Sequence, residues 1–169
     1  MKLLKNTKYV IALTCTLLSL SAVANQPEEK KSQDIATVLQ EQERFSTLVK
    51  ALKVAGITDI LRDSGDVTIF APNNTAFEQM PEGQLEKLLQ PENKERLIKV
   101  LSYHITEGRV DAEQAAADKY ADSLEGTNLQ LLVKGSRLTV EKTLIVEENI
   151  RASNGIVHVI EKVLMPKSK

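Results

Sequence analysis

The residues that could carry acid–base or nucleophilic chemistry are few in this chain of 169 residues. Its two histidines are His104 and His158, and Ser102 and Ser153 lie near them in the sequence. A histidine that takes the proton of a serine hydroxyl would indicate a hydrolase. Catalytic partners are defined by geometry, however, so adjacency along the chain is weak support for such a pair.

Sequence patterns of familiar enzyme classes are absent. The chain has no Walker phosphate loop, no G-x-G-x-x-G, no G-x-S-x-G and no H-E-x-x-H. A metal site would need both histidines to meet in the fold, with carboxylates added. We therefore expect no catalytic residues, no cofactor and no metal, and a protein that is not an enzyme.

Tyr103 and His104 form a pair that suits a binding site. Tyrosine offers a rigid amphipathic contact surface, and histidine adds a hydrogen-bonding group that titrates near neutral pH. The pair also suits the boundary of a core, because Leu97, Ile98 and Leu101 precede it at helical spacing. In that alternative the polar tips bond nearby backbone groups. We assign Tyr103 and His104 as candidate binding residues and keep burial as the alternative.

His158 lies inside an apolar run, residues 156–160. A buried imidazole that lacks a hydrogen-bond partner costs about 1–3 kcal/mol. We therefore expect His158 to bond a neighbouring segment and hold a core strand in place, and not to act in catalysis.

Apolar periodicity predicts helices in the first two-thirds of the chain. Apolar residues recur there at spacings of three and four, which is typical of amphipathic helices. The predicted helices cover residues 35–39, 45–55, 57–61, 85–89, 97–101 and 112–117. Gly56 is suited to end the second of these, and Asp111 is suited to cap the last.

Strands are predicted mainly in the last third. The predicted strands cover residues 67–70, 129–133, 138–140, 144–146 and 156–160. The second and third form a hairpin around Gly135-Ser136, and the last is apolar on both faces and therefore central. Helices first and strands later is the arrangement of an α+β domain.

Two separated stretches carry a family resemblance. One runs from Thr68 to Phe77 and the other from Asn154 to Pro166. Together they resemble the two homology boxes of the fasciclin domain, a family of secreted adhesion and matrix modules. The residues that we assign to this structural motif are Thr68, Phe70, Ala71, Pro72, Asn73, Phe77, Asn154, Gly155, His158 and Pro166.

The resemblance implies a wedge of two β-sheets with helices packed on one side. It also implies that Tyr103-His104 corresponds to the tyrosine–histidine motif of fasciclin domains, which in animal members has been linked to integrin binding. Both boxes have a structural explanation as well, since Pro72 can end a strand and Asn73 can cap the next helix. They indicate a fold more strongly than a molecular task.

The N-terminal segment has the form of a secretory signal peptide. Lysines precede an apolar run over residues 9–20, and Ala22-Val23-Ala24 resembles a cleavage site. We expect residues 1–24 to be removed. The run is shorter than the roughly 20 residues that cross a bilayer, so we expect no stable membrane span after cleavage.

The remaining 145 residues are enough for one domain with a real core. We place a flexible linker at 25–33, the fasciclin-like domain at 34–166 and a short tail at 167–169. The one cysteine, Cys15, lies in the predicted signal peptide, so the domain cannot form a disulfide and must rely on packing.

Charge argues against nucleic acid and anionic membranes as partners. Without the three lysines of the signal peptide, 19 basic residues face 23 acidic ones, a net charge of −4. Such a surface does not attract nucleic acid. A single small domain behind this type of leader indicates a bacterial protein that is secreted or periplasmic.

The resemblance to fasciclin domains implies an exported binding module that acts in cell-surface or matrix adhesion, and we expect it to take a protein or polysaccharide surface ligand. The alternative is a periplasmic small-ligand carrier or stress-related accessory protein, with an apolar molecule held between helices and sheet. The sequence leaves the oligomeric state open.

Overall fold

The computed structural model describes residues 33–63, 65–135 and 137–166. The predicted signal peptide, the predicted linker up to residue 32 and the tail 167–169 lie outside the described residues. Gln33, the last residue of the predicted linker, accepts a hydrogen bond through its carbonyl from Ser153 N at 2.8 Å.

Seven helices and seven strands form the described chain. The helices are α1 (Ile35–Gln40), α2 (Ser46–Ala55), α3 (Thr58–Asp63), α4 (Asn74–Glu78), α5 (Gln84–Leu88), α6 (Lys94–Tyr103) and α7 (Ala112–Asp118). The strands are β1 (Val67–Pro72), β2 (Ile105–Glu107), β3 (Tyr120–Asp122), β4 (Asn128–Lys134), β5 (Arg137–Val140), β6 (Thr143–Ala152) and β7 (Gly155–Ile160). Short 3₁₀ turns at Glu43–Phe45 and Pro91–Asn93 lead into α2 and α6.

Side-chain caps set several of the helix boundaries. Asp34, Asn73 and Asp111 each accept a hydrogen bond from a backbone N–H in the first turn of α1, α4 and α7. Such a cap satisfies a donor that has no partner inside the helix. Gly56 ends α2 in the left-handed conformation at φ 77°, as its position in the sequence predicts.

The strands form one ladder in the order β2-β1-β7-β6-β5-β4-β3. Strand β6 serves two halves of the ladder, because Thr143 and Leu144 pair with β5 while the residues from Ile145 to Ala152 pair with β7. An isolated antiparallel bridge between Thr106 and Ser123 brings the outer strands together. The predicted α+β class is confirmed, and the two predicted sheets are the two halves that share β6.

Strand β7 is central, as predicted. It pairs in parallel with β1 on one side and antiparallel with β6 on the other. All six of its residues are buried, as are all six of β1. Buried parallel strands read as continuous apolar runs, which explains why this element was visible in the sequence.

Two hydrophobic clusters fill the interior. The larger lies between the helices, chiefly α1, α2 and α6, and the β1–β7 part of the sheet; its largest members include Ile35, Leu39, Phe45, Leu48, Leu61, Leu97 and Ile105. The smaller joins β3 to β6 with parts of β1, α6, β7 and the C-terminal segment, and contains Phe70, Tyr103, Leu129, Leu131, Val140, Ile160 and Leu164. The space between helices and sheet is thus occupied by side chains.

Three features of the strands were not predicted from the sequence. Strands β2 and β3 have three residues each, too few for alternation to register. Strand β6 extends to Ala152, well beyond the predicted 144–146, and its register shifts twice, between Ile145 and Glu147 and between Glu147 and Ile150. An extra residue in one strand reverses the inside–outside alternation, so the pattern was lost beyond the first shift.

None of the helices in residues 33–63, 65–135 and 137–166 is long and apolar enough to cross a bilayer.

Replacing Gly155 by alanine is expected to cost about 4 kcal/mol or more of unfolding free energy, the range of severe core disruption. Gly155 has φ 155°, and a Cβ there would lie 1.8 Å from the Val67 carbonyl oxygen and 2.8 Å from Ile35 Cδ1. The β1–β7 pair would have to separate at this point. Urea unfolding followed by circular dichroism measures the loss.

The matched control for this variant is Gly65→Ala. A Cβ at Gly65 meets nothing within 4 Å. Its effect should stay within about 0.5 kcal/mol. Equal stability of the two variants would contradict the steric account.

Candidate functional site

Thr68, in the first box, is fully buried on β1 and holds the segment between β2 and α7. Its Oγ1 donates to the Gly108 carbonyl at 2.8 Å and accepts from Val110 N at 2.8 Å. The hydroxyl therefore uses both its donor and its acceptor capacity on the backbone. We call this segment together with the first residue of α7, residues 108–112, the crossing segment.

His158, in the second box, holds the same segment from β7. Its Nε2 donates to the Val110 carbonyl at 2.8 Å, and its Nδ1 accepts from Asn149 N at 3.4 Å. The ring is fully buried and stacks on Phe70, with centroids 5.5 Å apart and planes 18° from parallel. The imidazole thus joins β7 to the crossing segment and to β6.

Asn149 and Arg109 complete the attachment of the crossing segment. Asn149, in the left-handed conformation at φ 60° within β6, accepts through Oδ1 from Ala112 N at 3.0 Å. Arg109 donates to Asp66 Oδ1 at 2.7 Å and to the Ser153 carbonyl at 2.6 Å. Side chains from β1, β6 and β7, together with one from the segment itself, therefore fix its path over the sheet.

Asn154 connects the second box to the N-terminal helices. Its Oδ1 accepts from Ile35 N at 2.9 Å, at the start of α1. Its Nδ2 donates to the Leu61 carbonyl at 2.5 Å, in α3. One amide side chain thereby aligns two helices with the β6–β7 turn.

The remaining motif residues also have interior or capping positions. Phe70, Ala71, Pro72 and Phe77 are buried, and Pro166 is half-buried. Asn73 Oδ1 accepts from Ala76 N at 2.8 Å as the cap of α4. The boxes therefore lie side by side through the β1–β7 pairing, with their side chains directed at the interior and at backbone groups.

Tyr103 and His104 lie at the end of α6, and both are buried, with 4% and 1% exposed. His104 Nδ1 donates to the Val100 carbonyl at 2.7 Å, and Nε2 accepts from Leu164 N at 2.9 Å. The histidine thus attaches the C-terminal residues 161–166 to α6. This geometry matches the burial alternative, and a direct contact of the pair with a partner stays a prediction.

Burial controls the ionisation of all three rings. Desolvation lowers the pKa of His104 to about 4, opposed only in part by its bond to the Val100 carbonyl. Desolvation also lowers the pKa of His158, against smaller opposing effects of the Val110 carbonyl and the charges of Glu148 and Asp111. The pKa of Tyr103 is raised by burial and by the nearby Glu141 and Glu125. Both imidazoles are therefore neutral at pH 7.

The arrangement leaves little for acid–base or metal chemistry. Each histidine has both ring nitrogens engaged with the backbone, so neither can take a proton from Ser102 or Ser153 without first giving up a buried bond. Within the described ranges, no group of three or more histidine, cysteine or acidic residues could hold a metal ion.

Sequence reasoning missed three side chains of this site. Asn149 and Arg109 lie outside both boxes, and Asn74, although it lies in the first box, was predicted only as part of a helix start. Asn74 binds the start of α2, since its Oδ1 accepts from Thr47 N at 3.1 Å and its Nδ2 donates to the Glu43 carbonyl at 2.9 Å. For Asn149, the sequence signal that could have predicted its position is that asparagine tolerates positive φ, which is common at a β-bulge.

The model of the fasciclin domain family matches residues 43–166, a range that contains both boxes and the crossing segment. The chain belongs to the fasciclin family. The resemblance carried by the two boxes is thereby confirmed. The fasciclin match begins after α1, although Ile35, Ala36, Val38 and Leu39 of that helix are buried.

Relatives of the chain come from bacteria and animals. Protein sll1483 of Synechocystis sp. is 40% identical over 146 residues, which is 86% of this chain and 81% of that protein. The transforming growth factor-beta-induced protein ig-h3 of Sus scrofa is 39% identical over 132 residues, 78% of this chain. The chain spans only 19% of that protein's length.

A solved structure has the same fold. It is a FAS1 domain pair from the insect cell adhesion molecule Fasciclin I, and it matches 79% of this chain and 51% of its own with a TM-score of 0.72. The sequences are 14% identical, so this likeness shows the fold alone.

His158→Ala is expected to lower the melting temperature clearly. The change removes two hydrogen bonds and the stacking on Phe70, a loss of about 2–4 kcal/mol. Differential scanning calorimetry at pH 7 measures the shift. An unchanged melt would show that the crossing segment does not depend on this ring.

Stability is expected to fall as the pH drops from about 6.5 toward 4. The folded pKa values of both histidines are lowered, so between these pH values the unfolded chain binds more protons than the folded one. The contribution of each neutral histidine to the free energy of unfolding is complete above its unfolded pKa, and it is lost as the pH falls through its folded pKa. For His104 this contribution amounts to about 3 kcal/mol.

Urea midpoints measured between pH 7.5 and 5.5 test this dependence, since carboxylates titrate mainly below that window. The His104→Gln/His158→Gln protein is the control and should show a flatter profile. If the stability of this control fell equally steeply with pH, groups other than the two histidines would be responsible for the pH dependence.

Proposed function

We propose that the protein is an exported, non-enzymatic binding module that acts in cell-surface or matrix adhesion. Family membership supports this proposal, and so does the use made of the two boxes. Their polar side chains cap helices or form hydrogen bonds with backbone groups, as Thr68, Asn154 and His158 do. Binding is then left to the outer surface of the domain.

The single observation that carries the proposal is that every ring nitrogen of both histidines already has a hydrogen-bond partner. A hydrolase or a metal protein that relies on histidine would present a ring nitrogen to a cleft, whereas here all four ring nitrogens bond the backbone inside the fold.

Export is part of the proposal. The predicted signal peptide at 1–24 would deliver the domain to the periplasm or the medium, and the domain carries its stability in packing and hydrogen bonds without a disulfide. One domain offers one set of contacts, so firm attachment to a surface would gain from several copies acting together.

Adsorption of the purified full-length protein, as processed by its expression host, tests the proposal. The panel is a set of matrix proteins, acidic and neutral polysaccharides and bacterial cell surfaces, read by biolayer interferometry. We expect saturable binding to at least one surface with no turnover of ester, peptide or glycoside substrates. Uniformly negative binding would refute the adhesion role.

We further propose that Tyr103 contributes to binding through its hydroxyl, and that His104 contributes indirectly by holding residues 161–166 against α6. The variant for this test is Tyr103→Phe, because Tyr103→Ala/His104→Ala would open a cavity and remove the bond to Leu164 N. Loss of surface binding with an unchanged melt would support a contact role. Unchanged binding would assign Tyr103 to the core alone.

A further inference from the structure

A cleft between α5 and α6 differs in charge from three other surface depressions of the described chain. It has a volume of about 330 Å³, and its lining includes Lys87 of α5 and Arg96 of α6. Both side chains are exposed, and neither lies in an ion pair within the described residues. One carboxylate, Glu82, lines the same cleft.

Three other clefts serve as a comparison. The depression beside α2 has Lys50 and Lys53 offset by Glu41 and Glu43. The depression on the outer face of β5 and β6 has Arg137 beside Glu148. The one on the opposite side of α5 is lined by Glu78, Glu82 and Glu86 with no cation. Of the four, only the α5–α6 cleft has more cations than carboxylates.

The cleft also offers apolar and neutral polar surface. Pro81 and the buried Leu88 contribute apolar surface. Gln84 and Asn93 add half-buried amides, and Asn93 is held in place because its Nδ2 donates to the Lys87 carbonyl at 2.7 Å. The Asn93 Oδ1 is thereby available as an acceptor of hydroxyl protons.

These groups fit a small ligand that carries one anion, several hydroxyls and an apolar face. Arg96 and Lys87 would bind the anion through charge-assisted bonds, the amides and Glu82 would accept hydroxyl protons, and a ring C–H face would pack on Pro81. The volume of about 330 Å³ lies at the lower end of the range for small-ligand sites. Nucleotides fit less well, since the cleft has no aromatic side chain on which a base could stack.

We propose that the α5–α6 cleft binds an acidic sugar, a hexose unit with a carboxylate, within an extracellular polysaccharide. The net charge of −4 for the exported chain gives no long-range attraction to polyanions, so recognition depends on the local contacts of Lys87 and Arg96. The inference rests on the proposed adhesive function and names one ligand class for it.

Titration of the purified full-length protein with trigalacturonate tests the inference, followed by amide NMR shifts and calorimetry. We expect shifts confined to residues 81–96 and an affinity that weakens as salt is raised. Maltotriose and sodium sulfate are the comparison ligands, one neutral and one anionic without a sugar ring. Equal binding of maltotriose, or binding of sulfate alone, would overturn the proposal.

Lys87→Ala/Arg96→Ala should weaken trigalacturonate binding roughly tenfold or more, as expected for the loss of two charge-assisted bonds. Lys50→Ala/Lys53→Ala is the matched control, with the same change of net charge in the cleft beside α2, and should bind as the unaltered protein does. Melting curves check that both variants fold. Equal weakening by the two variants would indicate nonspecific charge and refute the site.

The two proposals fail in different ways. Protein or neutral surfaces that bind the Lys87→Ala/Arg96→Ala variant as well as the unaltered protein, with no trigalacturonate shifts, would refute the cleft and leave the adhesive function standing. Absence of binding to every surface in the panel would refute the adhesive function, whatever the isolated trisaccharide does.

Discussion

The parallel pairing of β1 with β7 is the contact on which the rest of the fold depends. It joins residues far apart in the chain in a six-residue register, from Val67 opposite Gly155 to Pro72 opposite Ile160. At the first pair the two backbones are so close together that only glycine fits at position 155, beside the Val67 carbonyl. Because each strand carries one of the family's boxes, this single pairing assembles the diagnostic residues, and the helices then cover one face of the result.

Once β1 and β7 are paired, polar side chains lock the irregular parts of the chain onto them. Thr68 and His158 reach the crossing segment from adjacent strands, and Asn154 reaches two helices. A buried polar group that loses its partner costs more than an ordinary hydrogen bond yields, so each of these positions tolerates little change. The boxes are therefore explained by the demands of assembly, and family membership by itself assigns no ligand.

The sequence predicted the elements that have strong local signals. The caps Asn73 and Asp111, the Gly56 stop and the buried strand β7 each follow from a short-range rule. The sequence could not predict that Asn149 would meet Ala112, or that Arg109 would meet Ser153, because those contacts depend on the register shifts of β6 and on a path that only the folded sheet defines. The candidate pair Tyr103-His104 illustrates the same limit. Its residue types suit a surface contact, but its place at the end of α6 buries both rings.

The contact between β2 and the end of β3 affects how readily copies of the domain can associate through their strand edges. Leu124 N donates to the Ile105 carbonyl at 2.8 Å beside the Thr106–Ser123 bridge, so within the described chain the two outermost strands shield each other's backbone. An unshielded strand border is a template for fibrous growth between molecules. A ladder that nearly closes into a ring offers little of that template, so many copies can lie side by side without fusing into a shared sheet.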